Sequence, residues 1–393
     1  MKLSAWAPFA ALTAVASLGL AIFFTLYSLI PVTRADAPGL SSLFLGTMMG
    51  CVMLVQALTP ILVSRFSLRL VLGGSMVLTA IGAVITGFSV STPALLSGAV
   101  AAGAGFGVLI VAGSQGIALL VPESRLGRMI GIYGLVTMAS AALGSPLGVQ
   151  LALTFSPSAF GLAAVIIGVL AVCLSFGIPG AVGKRQDGGH GQQSVNSTER
   201  CQSGLVNRLQ MMGKALAEAP WLVLGFLIVG VALLSHGLSS MPVITSSYVS
   251  AAVVIFSVQA GNALGRWLGG ELEARSTTGI TVITAALLLA AGGILGVVTT
   301  SSVLIVLAGV LIGVGVGVVQ TVTLHTAMRL MSSGRASVLW NLSVDAGLWT
   351  GGIVWGVALT SSVVVAGVFV LSVLILMTGV ALVVQLKQLF PQP

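Results

Sequence analysis

The chain has 393 residues, of which 57% are hydrophobic and only 6% charged, and its mean hydropathy is +1.14. A soluble protein of this length carries about a quarter charged residues, so lipid is the solvent for most of this chain. Disorder, nucleic-acid binding and a soluble enzyme are excluded, because the net charge of +8 lies between apolar runs and forms no patch. The three cysteines, Cys51, Cys173 and Cys201, show no paired spacing, so neither a disulfide framework nor a metal site is indicated.

A membrane helix needs roughly 20 mostly apolar residues to cross about 30 Å of hydrocarbon. Twelve such runs are predicted. The first six cover Trp6 to Pro31, Gly39 to Val63, Leu70 to Phe88, Pro93 to Val121, Met129 to Leu153 and Ala159 to Ile178. The second six cover Trp221 to Met241, Thr245 to Leu268, Ile280 to Thr299, Val303 to Met328, Ala336 to Leu359 and Val363 to Leu386. The first run follows Lys2 like a secretory signal, but it is too long and lacks a small-residue cleavage site. On this map fifteen of the sixteen Lys and Arg fall on one side, and only Arg34 falls on the other. Positively charged loops stay in the cytoplasm, so both termini are expected inside, with the chain in the cell inner membrane.

The polar stretch 183–219 divides the chain into an N-terminal half, 1–182, and a C-terminal half, 220–393. Its first part, GKRQDGGHGQQSVNSTER, reads as a linker. Its second part spaces Leu205, Leu209, Met212 and Leu216 as one helical stripe, which suits either a helix on the lipid surface or a continued linker. Asn196 and Asn341 begin glycosylation patterns, but a cytoplasmic loop and a membrane span exclude them as acceptors.

The two halves repeat. Gly103, Gly105 and Gly107 recur as Gly313, Gly315 and Gly317 at an offset of 210, which Arg65 and Arg275 share. Gly144 and Gly148 correspond to Gly352 and Gly356 at an offset of 208. Both repeats start and end on the same side, so they are parallel, and such folds bind their cargo at the interface of the halves near the midplane.

After the second run, residues 60–69 read PILVSRFSLR, with Arg65 and Arg69 in place, Ser64 where an acid is usual and Ser67 where a glycine is usual. The fifth run holds Gly144, Ser145, Pro146, Leu147 and Gly148, and the eleventh spaces Asn341, Asp345 and Gly347 as N-x-x-x-D-x-G. With six plus six spans and a long central loop, the chain resembles the major facilitator superfamily, in particular its bacterial efflux or drug:proton antiporter branch. The resemblance covers nearly the whole chain. It implies an all-α integral membrane fold of twelve transmembrane helices in two six-helix pseudo-symmetric halves. It also implies a gating loop at Arg65, Arg69 and Arg275, an antiporter-like motif at Gly144, Pro146 and Gly148, and a monomer. An arginine of the antiporter branch is absent near Ala99.

Of the eight acids, seven fall at span ends or in loops, and Asp345 alone falls within a span. An Asp at a helix centre costs about 2.5–3.5 kcal/mol on insertion scales, and such residues mark ion or substrate pathways. Asp345 is therefore the expected proton-coupling residue; the alternative is an acid that only hydrogen-bonds a neighbouring helix. Asn341, Asp345 and Trp349 share one helix face, and Gln259, Asn262 and Arg266 form a second polar stripe. The family fold implies that the eighth and eleventh spans are neighbours, so Gln259 or Asn262 is expected to meet Asp345, with Arg266 nearer the cytoplasm. These polar groups serve either the cavity or helix–helix hydrogen bonding, worth under about 1 kcal/mol.

Spans one, four, seven and ten line the centre in that family and add Tyr27, Gln115 and Gln320 to the expected substrate cavity. His236 and His325 fall near span ends, where a histidine is more often solvated. The run Gly103, Gly105, Gly107 follows no strand and is no dinucleotide loop. No phosphate-binding loop or metal-ligand spacing occurs, so no cofactor or metal is expected.

The expected function is proton-coupled export of a small organic compound by alternating access, with the substrate, protons and the bilayer as partners. Two alternatives are an importer or facilitator of a sugar, organic acid or metallophore, and a non-transport intramembrane enzyme or sensor. An enzyme would need a second converging acid or a buried Ser–His pair, and a sensor would need a soluble domain.

Overall fold

The structure is a computed structural model that describes residues 6–89, 91–121, 126–180, 220–331 and 333–389. The linker 183–219 and its amphipathic stripe lie outside the described residues. Among the described residues, helices occupy all twelve predicted runs. Span one is Ala7–Thr33; span two is Pro38–Gln56 continued by Thr59–Arg65; spans three to six are Leu68–Phe88, Thr92–Leu120, Leu126–Thr154 and Pro157–Ser175. Span seven is Trp221–Leu238 continued by Ser240–Ile244; spans eight to twelve are Ala251–Arg275, Thr278–Val298, Ser302–Leu330, Ser333–Thr360 and Val364–Leu389. Among the described residues eleven helices are long and apolar enough to cross a membrane. Span eight is the twelfth; Gln259, Asn262 and Arg266 make it less apolar.

Two predicted spans are broken, each four residues before a proline, although Pro31 and Pro146 lie within continuous helices. A proline inside a helix lacks an N–H and clashes with the carbonyl four residues earlier. Pro60 faces the carbonyl of Gln56 in this way, and Pro242 that of Leu238, the last residues before each break. Span eight also starts six residues later than expected, because Thr245 to Ser250 form turns.

In lipid, helices associate by close packing at small residues rather than by burying apolar surface. Gly261 and Gly265 on span eight lie against Gly313 and Gly317 on span ten, with Gly269 against Thr321 and Gly309 against Ser257, and these two spans pack most extensively of all. A methyl group on Gly313 would overlap the Val258 carbonyl, and one on Gly317 would overlap the Asn262 carbonyl. In the first half, Gly103 meets Met48 and Gly107 meets Val52. The partners therefore repeat at the same offset of 210 as the glycines. Gly105 and Gly315 extend this to spans three and nine, where they meet Ser75 and Thr79, and Ala285 and Leu289.

The fifth and eleventh spans follow a different offset. Gly144 and Gly148 pack on Ala21 and Thr25 of span one. The residues that pack on the equivalent Val231 and Ser235 of span seven are Gly347 and Gly351, at an offset of 203. Gly352 and Gly356 instead pack on Leu45 and Ser42 of span two, across the halves. The correspondence of Gly144 and Gly148 with Gly352 and Gly356 is thereby corrected; the sequence spacing admits both, and only the contacts choose.

The halves meet along two seams, span two against span eleven and span five against span eight. Spans eight and eleven do not pack along their lengths, contrary to expectation, and approach each other where Arg266 lies over Trp340; span eleven lies on spans two and seven, and span eight on spans ten and five. We expect Gly313→Val to overpack the span eight–ten contact, at a cost of about 1–3 kcal/mol, while Gly270→Ala, which has open space around it, causes no loss of stability and gains up to about 1 kcal/mol. Thermal unfolding in detergent by size-exclusion chromatography checks both.

Candidate functional site

Asp345 lies at the seam between the halves. It is twelve residues from Ser333 and fifteen from Thr360, or about 18 and 22 Å along the helix. Its side chain is 8% exposed, and its Oδ2 accepts a 2.7 Å hydrogen bond from Nε2 of Gln56 on span two. Gln56 was not among the candidates from the sequence. The signal was present, since the 210 offset pairs Gln56 with Arg266, and both are polar within a span.

Further contacts extend this seam away from Asp345. Nε1 of Trp349 donates to the Gly46 carbonyl at 3.0 Å, and the Ser42 hydroxyl donates to the Ile353 carbonyl at 3.0 Å. Gly39 faces Thr360 at the far end. Glycines at 46 and 352 let the two helices approach, because a Cβ at either would press into Ile353 or Leu45. Trp349 is 38% exposed, so it borders the seam and is not enclosed by it.

Tyr27 ties span one to the other half. Its O–H donates to the Leu348 carbonyl at 2.8 Å, and its oxygen lies 2.6 Å from the Ser235 hydroxyl. His236, next to Ser235, is fully buried, in contrast to the solvated position expected; its Nδ1 is 2.6 Å from Ser240 Oγ, and its ring is 4.8 Å from that of Trp355. This cluster lies toward the same end of the bundle as Gly39 and Thr360.

The remaining candidates separate. Gln320 accepts from Nε of Arg266 at 2.8 Å. Gln259 and Asn262 are buried on the same span as Arg266 and do not meet Asp345. Gln115 and Asn341 are half-buried on spans four and eleven. His325 is half-exposed and pairs with Glu273 at 2.6 Å.

Two further predicted groups have mainly structural environments. Ser145 donates to the Phe24 carbonyl at 3.0 Å, and Thr25 donates to the Gly144 carbonyl at 3.3 Å, so the stretch around Gly144, Pro146 and Gly148 seats span five on span one. Arg69 stacks over Phe176 at 5.3 Å and thereby joins the start of span three to the end of span six. Arg275 pairs with Glu271 one turn earlier on an exposed surface, and Arg65 ends the short helix after the break in span two. Among the described residues, no group of three or more His, Cys, Asp or Glu could hold a metal ion.

We expect Gln56→Leu and Asp345→Asn to be non-additive in stability, with a coupling of about 1 kcal/mol; thermal unfolding of the two single variants and the double variant measures it.

Comparison with known proteins agrees with this architecture. A POT family transporter in complex with 5-aminolevulinic acid superposes with a TM-score of 0.74 at 11% identity, covering 98% of this chain and 96% of that one. A bacterial homologue of the human lysosomal transporter Spinster, inward-facing and unoccupied, gives 0.67 at 15% identity, with 99% and 98% coverage. A mutant of the nucleoside transporter NupG gives 0.68 at 12% identity, with 97% and 99% coverage. No curated protein matches the chain in sequence. The sequence profile of the Major Facilitator Superfamily matches residues 9–352, and the chain, a multi-pass membrane protein with the fold of transporters, belongs to that family.

Proposed function

We propose that this member of the superfamily is a proton-coupled secondary transporter that exports a small organic compound by alternating access. Its basic face, with both termini, lies in the cytoplasm, as the positive-inside rule directs. The protein works as a monomer in the cell inner membrane.

The observation that carries the reading is the position of Asp345, a deep carboxyl on the parting line between the halves, bonded across it to Gln56. As a carboxylate, Asp345 offers only acceptors, and its bond from Gln56 is charge-assisted. On protonation the charge is lost and one oxygen becomes a donor, so the strength of a link between the halves follows the presence of a proton. A ligand shifts a two-state equilibrium only by its differential affinity for the states, and a proton at this place has such a difference.

Each elementary charge that moves inward gains about 2.3 kcal/mol per 100 mV, enough for roughly tens-fold accumulation per proton. Export, as opposed to import, is supported by the likeness of the Gly144–Pro146–Gly148 stretch to the antiporter signature. The direct contacts of the span two–eleven seam run from Gly39 and Thr360 to Gln56 and Asp345, which favours a state closed on the side away from the basic face. The polar groups Tyr27, Gln115, Gln259, Asn262, Gln320, Asn341 and Trp349 are the proposed cavity set, and Arg65, Arg69 and Arg275 the proposed gating loop.

Two experiments test this reading. In everted vesicles holding a preset pH gradient, reported by a pH-sensitive dye, a panel of small organic compounds is screened; substrates of the wild type discharge the gradient. Asp345→Asn is expected to abolish that discharge while leaving the protein in the membrane. Full discharge by the variant would move the proton to another group. Second, Gly39→Cys with Thr360→Cys, at the outer end of the seam, is expected to stop transport when cross-linked and to release it on reduction. Undiminished flux through the cross-linked protein would overturn alternating access about this seam.

A further inference from the structure

Arg266 is a second ionisable side chain well inside the bundle, and proton coupling gives it no task. It lies nine residues, about 14 Å of helix, before Arg275 on span eight. Its Nε donates to Oε1 of Gln320 on span ten at 2.8 Å, and its guanidinium carbon is 5.9 Å from the ring centre of Trp340 on span eleven. Trp340 is fixed in turn by its Nε1 donating to the Thr323 hydroxyl at 3.2 Å. Three spans thus converge on one guanidinium.

Among the described residues the ion pairs are Arg275–Glu271 and His325–Glu273, and no carboxylate lies within ion-pair distance of Arg266. Gln320 supplies only a neutral acceptor to a half-buried cation, an arrangement that costs energy until an anion joins it. Along the same helix face stand Asn262 and Gln259, each 5% exposed, whose Oδ1 and Nε2 have no hydrogen-bond partner. Each such orphan costs about 1–3 kcal/mol.

The repeat places a neutral amide where span eight has this charge. Under the offset of 210, Arg266 is the counterpart of Gln56, and under that of 203, Asp345 is the counterpart of Ala142. One seam therefore carries an amide and an acid. The other carries a base and an alanine. A neutral amide fills this backbone position in the first half, so the charge is particular to the second.

We propose that Arg266, Gln320, Asn262 and Gln259 form an oxyanion-binding site, and that the cargo is a small organic anion bearing a carboxylate or phosphate; the assignment of cargo rests on the transporter reading. The Gln320 bond sets the plane of the guanidinium, and the Nη edge meets the anion in a two-pronged pair, the geometry in which Arg exceeds Lys. The unpaired amides along the stripe bond polar groups elsewhere on the same molecule.

The test uses the purified full-length chain in detergent, with benzoate and phenylphosphate as probes and benzamide as the neutral control. At least one of the anions is expected to raise the thermal midpoint by a few degrees, and benzamide to leave it unchanged. Arg266→Gln is expected to abolish the rise, and Arg266→Lys to retain only part of it. A second measurement needs no variant: the bound anion slows modification of Arg266 by phenylglyoxal about tenfold at ten times its Kd, read by mass spectrometry. Absence of both stabilisation and protection, or an equal rise with Arg266→Gln, overturns the proposal. Asp345→Asn is expected to keep anion binding, so a failure of proton coupling and a failure of this site give different results.

Discussion

Close approach of helices at positions without a side chain is the constraint on which this structure depends. Where lipid is the solvent, apolar side chains gain little by leaving it, and the gain comes from tight contact. Gly261 and Gly265 against Gly313 and Gly317 bring two backbones together, and this fixes where span eight presents Arg266 and where span ten presents Gln320. On the first seam, Gly46 and Gly352 bring spans two and eleven near enough for Gln56 to reach Asp345. Both polar sites are consequences of glycine placement.

The sequence shows much of this because lipid imposes strong rules. Runs of twenty apolar residues and the one-sided distribution of cations predict twelve spans in two parallel halves, and the helices fall where those runs lie. The glycines at 103, 105 and 107 and at 313, 315 and 317 reveal the repeat because their partners repeat as well. The apolar runs do not anticipate the breaks after Gln56 and Leu238; each lies four residues before a proline, but Pro146 within the unbroken span five shows that proline alone does not mark a break.

What the sequence does not disclose is which face of a span meets which neighbour. Glycines at 347, 351, 352 and 356 cover two sides of span eleven, one on span seven and one on span two, and periodicity alone does not assign them. The same limit hid the Gln56–Asp345 bond and set Gln259 and Asn262 beside the wrong partner. A buried His236 was equally out of reach, because position near a span end does not reveal the packing of Trp355 against its ring. Long-range placement decides the chemistry here, and residue type decides only which chemistry is available.

The seam between the halves has an unusual make-up for a surface that excludes water. Its contacts include a serine on a carbonyl, an indole on a carbonyl, an amide on a carboxyl and a tyrosine that donates to a carbonyl and meets a serine hydroxyl, set among glycines. When such a surface parts, few interdigitated apolar groups must be pulled free, and each polar group can exchange its protein partner for a water molecule at small net enthalpy. If the halves rock as proposed, their polar contacts are exchanged for hydration, which keeps the two arrangements close in free energy.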